Sequence, residues 1–132
     1  MTQTISTHQR LVNEAYSQWE ANQDWTYGKF IDRLPDRQRQ AVLIANLNYQ
    51  VENGGFAQWH LNEYSSRSNQ LIAALEEIGT DTAIQVAQLV SRVVSKLDDA
   101  DDEDYLEFSE DDLFYAINAQ LLTDCEAWLN RP

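Results

Sequence analysis

The stretch LPDRQRQAVLIANLNYQVENGGFAQWHLN, residues 34–62, decides the fold class. Pro35 suits the first turn of a helix, where its missing N–H would have no intrahelical partner anyway. From there to about Glu52, the apolar residues Leu43, Ile44, Leu47 and Val51 recur at helical spacing and mark one face. Asn53-Gly54-Gly55 then ends the helix, because glycine accepts positive φ without a Cβ penalty. A short helix over residues 56–63 is expected next, with Phe56 and Trp59 turned back onto the core.

The same period runs outward in both directions. Ser6 or Thr7 can cap a first helix whose apolar face is Leu11, Val12, Ala15, Tyr16 and Trp19, ending near residues 22–24. A short turn over residues 26–33 points Phe30 and Ile31 inward. Ser65 or Ser66 opens a further segment with Leu71, Ile72, Leu75 and Ile78 as its stripe and Gly79 as its stop. Thr80 or Asp81 caps the next helix. Ile84, Ala87, Val90, Val94 and Leu97 form its inward face, and Val86, Leu89 and Val93 widen it. So broad an apolar face predicts a central, well-buried helix. Ser109 is placed to cap the last helix, with Phe114, Ile117, Leu121, Cys125 and Trp128 on its buried side. Only four Gly and two Pro interrupt the chain. With no period-2 alternation, repeat or Gly/Ser linker, the chain reads as one compact all-α domain over residues 1–132. Five to six helices are expected, with residues 1–6 disordered and an acidic loop at 98–110 before the last helix.

Composition narrows the function. Of 132 residues, 43% are apolar, and four Trp, six Tyr and four Phe supply a core. Twenty-two acids against nine Lys and Arg give a net charge of −13. Direct binding of nucleic acid needs clustered bases, and binding to an anionic membrane needs the same. Neither is expected. No apolar run reaches the roughly 18–20 residues of a membrane span, and residues 1–10 have no signal-peptide core. The single cysteine, Cys125, excludes an internal disulfide and Cys-rich zinc sites. These features fit a cytoplasmic protein.

The charge is concentrated at one end. Residues 1–96 carry ten acids and eight bases; residues 97–132 carry twelve acids and one base, Arg131. Asp98, Asp99, Asp101, Asp102, Glu103, Asp104, Glu107, Glu110, Asp111 and Asp112 place ten carboxylates in fifteen residues. Spread over roughly 25–30 Å, that approaches the charge density of duplex DNA, one charge per about 1.7 Å. These ten are the candidate partner-binding residues. Such a surface would draw in the basic face of a DNA-binding protein. Tyr105, Leu106 and Phe108 are candidate apolar anchors beside it. The plainer reading is a solvated run that maintains solubility.

The segment Gln50-Val51-Glu52-Asn53-Gly54-Gly55-Phe56-Ala57-Gln58-Trp59-His60-Leu61-Asn62 resembles the V-x-NGGF-x-Q-aromatic-x-x-N signature of a small bacterial all-helical family that includes a DNA-mimic protein. Ala73-Ala74-Leu75-Glu76-Glu77-Ile78-Gly79 resembles that family's AL-x-x-IG helix end. The resemblance covers roughly residues 34–97, with Trp59 and His60 departing from the pattern's Tyr or Phe and its following aromatic. It implies an all-α fold and a role as a DNA mimic that occupies the DNA-binding surface of a basic regulator of transcription. Read from their own chemistry, Asn53, Gly54, Gly55, Phe56, Gln58 and Asn62 form a structural turn. Gln58 and Asn62 would bond backbone groups left free there. The alternative is a ligand site at the turn, with Glu52, Asn53, Gln58 and His60 as polar contacts.

Three other readings have a basis in the residues. From Asp99 to Glu110, acids fall at positions 1, 3, 5, 9 and 12 of an EF-hand-like loop. Position 6 is Asp104 where the turn calls for glycine, so no metal site is assigned, although a calcium-responsive helical protein is one alternative. An immunity-type or scaffolding module with a shape-specific surface is another, and the aromatic content leaves room for a homodimer face. Catalysis is not expected. His8 sits near the terminus, His60 reads as a packing residue, Cys125 as a buried thiol, and no phosphate loop, HExxH or G-x-S-x-G motif occurs. No cofactor is expected.

Overall fold

A computed structural model describes residues 5–99 and 108–131. The described residues form six α-helices and no strand: α1 Thr7–Glu20, α2 Tyr27–Asp32, α3 Asp36–Leu61, α4 Ser68–Ile78, α5 Asp81–Asp99 and α6 Glu110–Leu129. A 3-10 turn, Tyr64–Arg67, joins α3 to α4. This is the all-α domain expected from the periodicity, with adjustments that have local causes. The turn expected at residues 26–33 is a short helix, because the Thr26 hydroxyl accepts from the Lys29 N–H. Pro35 sits one residue outside α3 as its cap. Ser6, expected to be disordered, is ordered and accepts from the Gln9 N–H at 3.0 Å. Thr80 caps α5 by accepting from the Ala83 N–H, and Gly79 closes α4 with φ +74°. Ser109, expected to cap α6, makes no side-chain cap bond.

The central helix is α3, not α5. Around its first three turns Gln38, Gln40, Ala41, Val42, Leu43, Ile44, Asn46 and Leu47 are all buried. A helix buried on nearly every side is covered by neighbours all round, and α1, α2, α4 and α6 all pack on α3. The sequence AVLIANL carries that pattern as a nearly unbroken apolar run. In contrast, α5 buries Ala83, Val86, Ala87, Leu89, Val90 and Val93, while Ile84, Val94 and Leu97 are half-buried. Its inward face is therefore rotated toward the residues read as widening it, and its far side is solvent.

Aromatic residues fasten α1, α2 and the 3-10 turn. Trp19 stacks on Phe30 at 4.3 Å, Tyr27 meets Tyr64 edge-on at 4.6 Å, and the Trp19 indole N–H donates to the Trp25 carbonyl. Such pairs contribute about 0.5–1.5 kcal/mol beyond area burial. Tyr16 donates to the Asn46 amide oxygen, and the Asn46 amide N–H donates to the Tyr27 hydroxyl, so the buried Asn46 is satisfied on both sides. Burial raises the ionisation of both tyrosines well above its ordinary value.

Glu126 of α6 caps α1 from outside. Its two carboxylate oxygens accept from the Thr7 and His8 N–H groups at 2.9 and 2.7 Å. His8, near the terminus, is thereby fixed, and its Nε2 bonds the Ala41 carbonyl at 2.9 Å. Burial alone would raise the Glu126 carboxyl, but the His8 and Thr7 N–H groups outweigh it and hold it below its ordinary value of 4.5. Its stabilisation is therefore present in full above that ordinary value and is lost as pH falls through the lower folded one. Glu126→Gln should cost about 1 kcal/mol at neutral pH, a charged cap discounted for its partial exposure, and lower the melting temperature by roughly 3–5 °C. The gap between variant and parent should close in acid. Thermal melts at pH 7 and pH 3 check this; a gap that persists at the lower pH would remove the charge from the account.

Candidate functional site

The two conspicuous sequence features, the double glycine and the acidic run, meet in the fold. Helical dihedrals continue along α3 except at Gly54 (φ −160°, ψ 19°) and Gly55 (φ 74°, ψ −178°). There the helix breaks and restarts, so the expected second helix at 56–63 is the outer arm of α3. The conformation of Gly55 is open to glycine and hardly to any other residue. The break leaves the Phe56 N–H without a helical partner. Asp111, at the start of α6, supplies one, its Oδ1 accepting at 2.8 Å. The carboxylate approaches so closely that a Cβ on Gly55 would lie 2.9 Å from Asp111 Cγ and closer still to Oδ2. Gly55 thus allows both the backbone conformation and the approach.

Further along α6, Tyr115 donates to the Val51 carbonyl at 2.7 Å, and Asn118 donates to Asn48 and Glu52 at 3.0 and 2.7 Å. Asp111, Tyr115 and Asn118 lie four and three residues apart, one stripe of α6 laid against the broken helix. Sequence analysis missed Tyr115 and Asn118; their spacing from Asp111 was the available signal. Phe56 and Trp59 are buried as expected, edge-on to each other, and Phe56 also meets Phe114 edge-on at 5.8 Å. Gln58 and Asn62 do not bond free backbone. Both donate to the Gln50 side-chain oxygen, at 3.0 and 2.7 Å, and tie the outer arm to the inner one. The polar groups of the alternative ligand site do not converge. Glu52 accepts from Asn118, Gln58 bonds Gln50, His60 bonds Ser65 at 2.7 Å, and Asn53 is exposed.

The acidic run divides into distinct parts. Asp98 and Asp99 are exposed in the last turn of α5, and Asp112 is exposed in the first turn of α6. Asp101, Asp102, Glu103, Asp104 and Glu107, with Tyr105 and Leu106, lie outside the described residues. Glu110 and Asp111 are not solvated as the sequence suggested. Glu110 is 4% exposed, with both oxygens on Lys96 Nζ at 2.7 and 2.9 Å. Burial pushes the Glu110 carboxyl up, but the Lys96 bond, its own backbone N–H and the Lys96 and Arg92 charges bring it below its ordinary value. Asp111 is held above its ordinary value by burial first and then by the neighbouring Asp112 and Glu110 charges, against the Phe56 bond. Phe108 is also buried and belongs to the core rather than to the surface. Leu113 and Tyr115, at 51% and 43% exposure, are the apolar side chains that surface beside Asp112.

Asp98 and Asp99 sit where the helix dipole disfavours negative charge, at a cost of about 0.3–1 kcal/mol each, whereas the acids at the start of α6 are favoured there. Lys96 crosses between the two helix ends and holds them together. Glu110, position 12 of the calcium-loop reading, is therefore committed to a lysine instead of a cation. Cys125 is fully buried, and burial raises its thiol to about 12, with a smaller contribution from Glu126. That leaves it unreactive, as its place on the core face suggested. No helix among the described residues is long and apolar enough to cross a membrane.

Comparison with known proteins adds one finding. A family model described as DMP19-like protein matches residues 32–131. The match extends through the acidic run and α6, beyond the 34–97 span of the motif resemblance. Neither the curated proteins nor the solved structures contain a match to the chain.

Proposed function

The chain belongs to the DMP19-like protein family, and from that premise we propose that it is a cytoplasmic binding protein, not an enzyme, that occupies the DNA-binding surface of a basic regulator by imitating DNA. The observation that carries this reading is the Lys96–Glu110 clasp. It joins the end of α5 that carries Asp98 and Asp99 to the start of α6 that carries Asp112. A family that includes a DNA-mimic protein supports the same reading. So does the placement of Asp98 and Asp99 at a helix end that disfavours them, which is explained if a cationic surface docks there.

A partner captured by these acids should be released steeply by salt, because exposed charge is screened within about 8–10 Å at physiological ionic strength. The test is capture from a lysate of the source cell on tagged protein, eluted in rising salt, with partners identified by mass spectrometry. A basic DNA-binding protein leaving at moderate salt is the expected result. A partner retained through high salt would favour a second reading, a shape-specific contact through exposed Leu113 and Tyr115. Apolar burial is barely screened, so that contact would hold.

A further inference from the structure

An open cavity of about 500 Å³ lies between α1, α3, α6 and the 3-10 turn. Its volume is within the range of small-molecule sites. Although 23% of the chain is charged, none of the residues around this cavity is Asp, Glu, Lys or Arg. It is lined instead by the rings of Tyr16, Tyr49 and Tyr64 and by the amides of Asn48 and Gln50.

The amides are oriented by the bonds already described. The Gln50 oxygen accepts from both Gln58 and Asn62. The Asn48 oxygen accepts from Asn118, whose NH2 end is fixed because it also donates to the Glu52 carboxylate, which can only accept. Each amide therefore has its oxygen occupied and its NH2 without a partner among the described residues. Gln50 is 6% exposed and its NH2 is unpaired among the described residues, whereas the buried atoms left without a partner there, Gln40 Oε1, Arg67 Nε and Gln70 Oε1, do not line this cavity. His8 borders the same cavity. In the neutral ring, giving its Nε2–H to the Ala41 carbonyl leaves Nδ1 as an acceptor. Among the tyrosines, Tyr16 packs on Trp19 and Phe30, and Tyr64 on Tyr27. Tyr49 is 63% exposed and pairs with no ring among the described residues.

Two amide donors, one imidazole acceptor and an unpartnered tyrosine ring are complementary to a flat, neutral ring bearing carbonyl oxygens and an N–H. We propose that this cavity is a binding site for a neutral heteroaromatic of that kind, the pyrimidinedione ring of a uracil base or its nucleoside. A phosphorylated form is disfavoured, because no cation lines the cavity and the chain carries a net charge of −13. Adenosine offers an amino donor where this site needs a second carbonyl, so it should bind less well.

The test is titration of 15N-labelled full-length protein with uridine, with adenosine and with uridine monophosphate, followed by backbone and side-chain amide shifts. Uridine should give saturable shifts centred on the Gln50 and Asn48 NH2 groups and on residues 45–50. Adenosine should bind more weakly, and the monophosphate more weakly than uridine. Tyr49→Ala removes an exposed ring that makes no side-chain hydrogen bond among the described residues, so the fold should persist. It should weaken uridine by about tenfold, near the low end for loss of a base-stacking aromatic. Gln50→Glu, which removes the open NH2 without changing size, should abolish the shifts. Absence of saturable shifts with uridine up to its solubility limit would overturn the proposal. Shifts centred elsewhere would do the same, as would uridine binding unchanged in Tyr49→Ala.

Discussion

Gly55→Ala should be among the most damaging single-residue changes in this protein, costing about 3 kcal/mol or more and lowering the melting temperature by roughly 10–15 °C. Two effects add. At φ +74° and ψ −178° an L-residue is in a region populated almost only by glycine. The new methyl would also meet the Asp111 carboxylate that satisfies the Phe56 N–H. Gly79→Ala is the natural comparison. Gly79 has the same φ, but ψ is 2°, in the ordinary left-handed region, and its nearest neighbour is a carbonyl oxygen at 3.5 Å. That change should cost only about 1–2 kcal/mol. Placing Gly55→Ala in an Asp111→Ala background separates the backbone strain from the clash. If strain dominates, the penalty for the alanine stays nearly as large without the carboxylate. Chemical denaturation of the four variants measures each term. Equal losses at Gly55 and Gly79 would show that the close approach of α6 to the broken helix is not what the glycine is for.

The extent to which the sequence disclosed this arrangement depended on whether the signal was local. Ser6, Thr80 and Gly79 act within one turn of their own helix ends, and each was readable from residue type and position. The buried stripe of α6 was nearly complete for the same reason, with Phe114, Leu121, Cys125 and Trp128 all buried. What escaped was long-range. Lys96 and Glu110 are fourteen residues apart, on different helices, so nothing in a run of acids marked Glu110 as paired and buried. Asp111 and Phe56 are fifty-five residues apart. The glycine pair and the acidic run therefore read as separate features, whereas one acid of the run completes the turn. The role of α5 was misjudged because apolar breadth alone does not say which helix is covered on all sides. That distinction goes to α3, where Leu43, Ile44, Leu47 and Val51 read as one face although Gln38, Gln40, Ala41, Val42 and Asn46 are buried as well.

The corrected roles of Glu110 and Asp111 change how the acidic surface should be probed. Neutralising them would damage the packing of α6 and confuse binding with folding. Asp98, Asp99 and Asp112 are exposed, and with Asp104, which lies outside the described residues, they make a set of four whose conversion to Asn removes charge while keeping the Glu110 and Asp111 contacts. Exposed ion pairs contribute about 0.2–1 kcal/mol each, so losing four should weaken a basic partner by about 4- to 700-fold at low salt. The salt dependence of the remaining affinity should flatten. Stability should move the other way. Removing Asp98 and Asp99 from the C-terminal turn of α5 relieves about 0.3–1 kcal/mol each of unfavourable dipole interaction, while losing Asp112 from the first turn of α6 costs about as much as one of them gains, so the variant should melt slightly higher than the parent. Weaker binding in a more stable protein would separate the function of these acids from any service to the fold.

The central claim is that this surface stands in for DNA, and competition on the partner tests it most directly. A fluorescently labelled duplex carrying the captured regulator is titrated with the protein, and anisotropy follows release of the DNA. Our account predicts full displacement at low salt by the parent chain and displacement at least about fourfold weaker by the four-acid variant. A regulator that holds the protein and the duplex together, with anisotropy rising instead of falling, would contradict it.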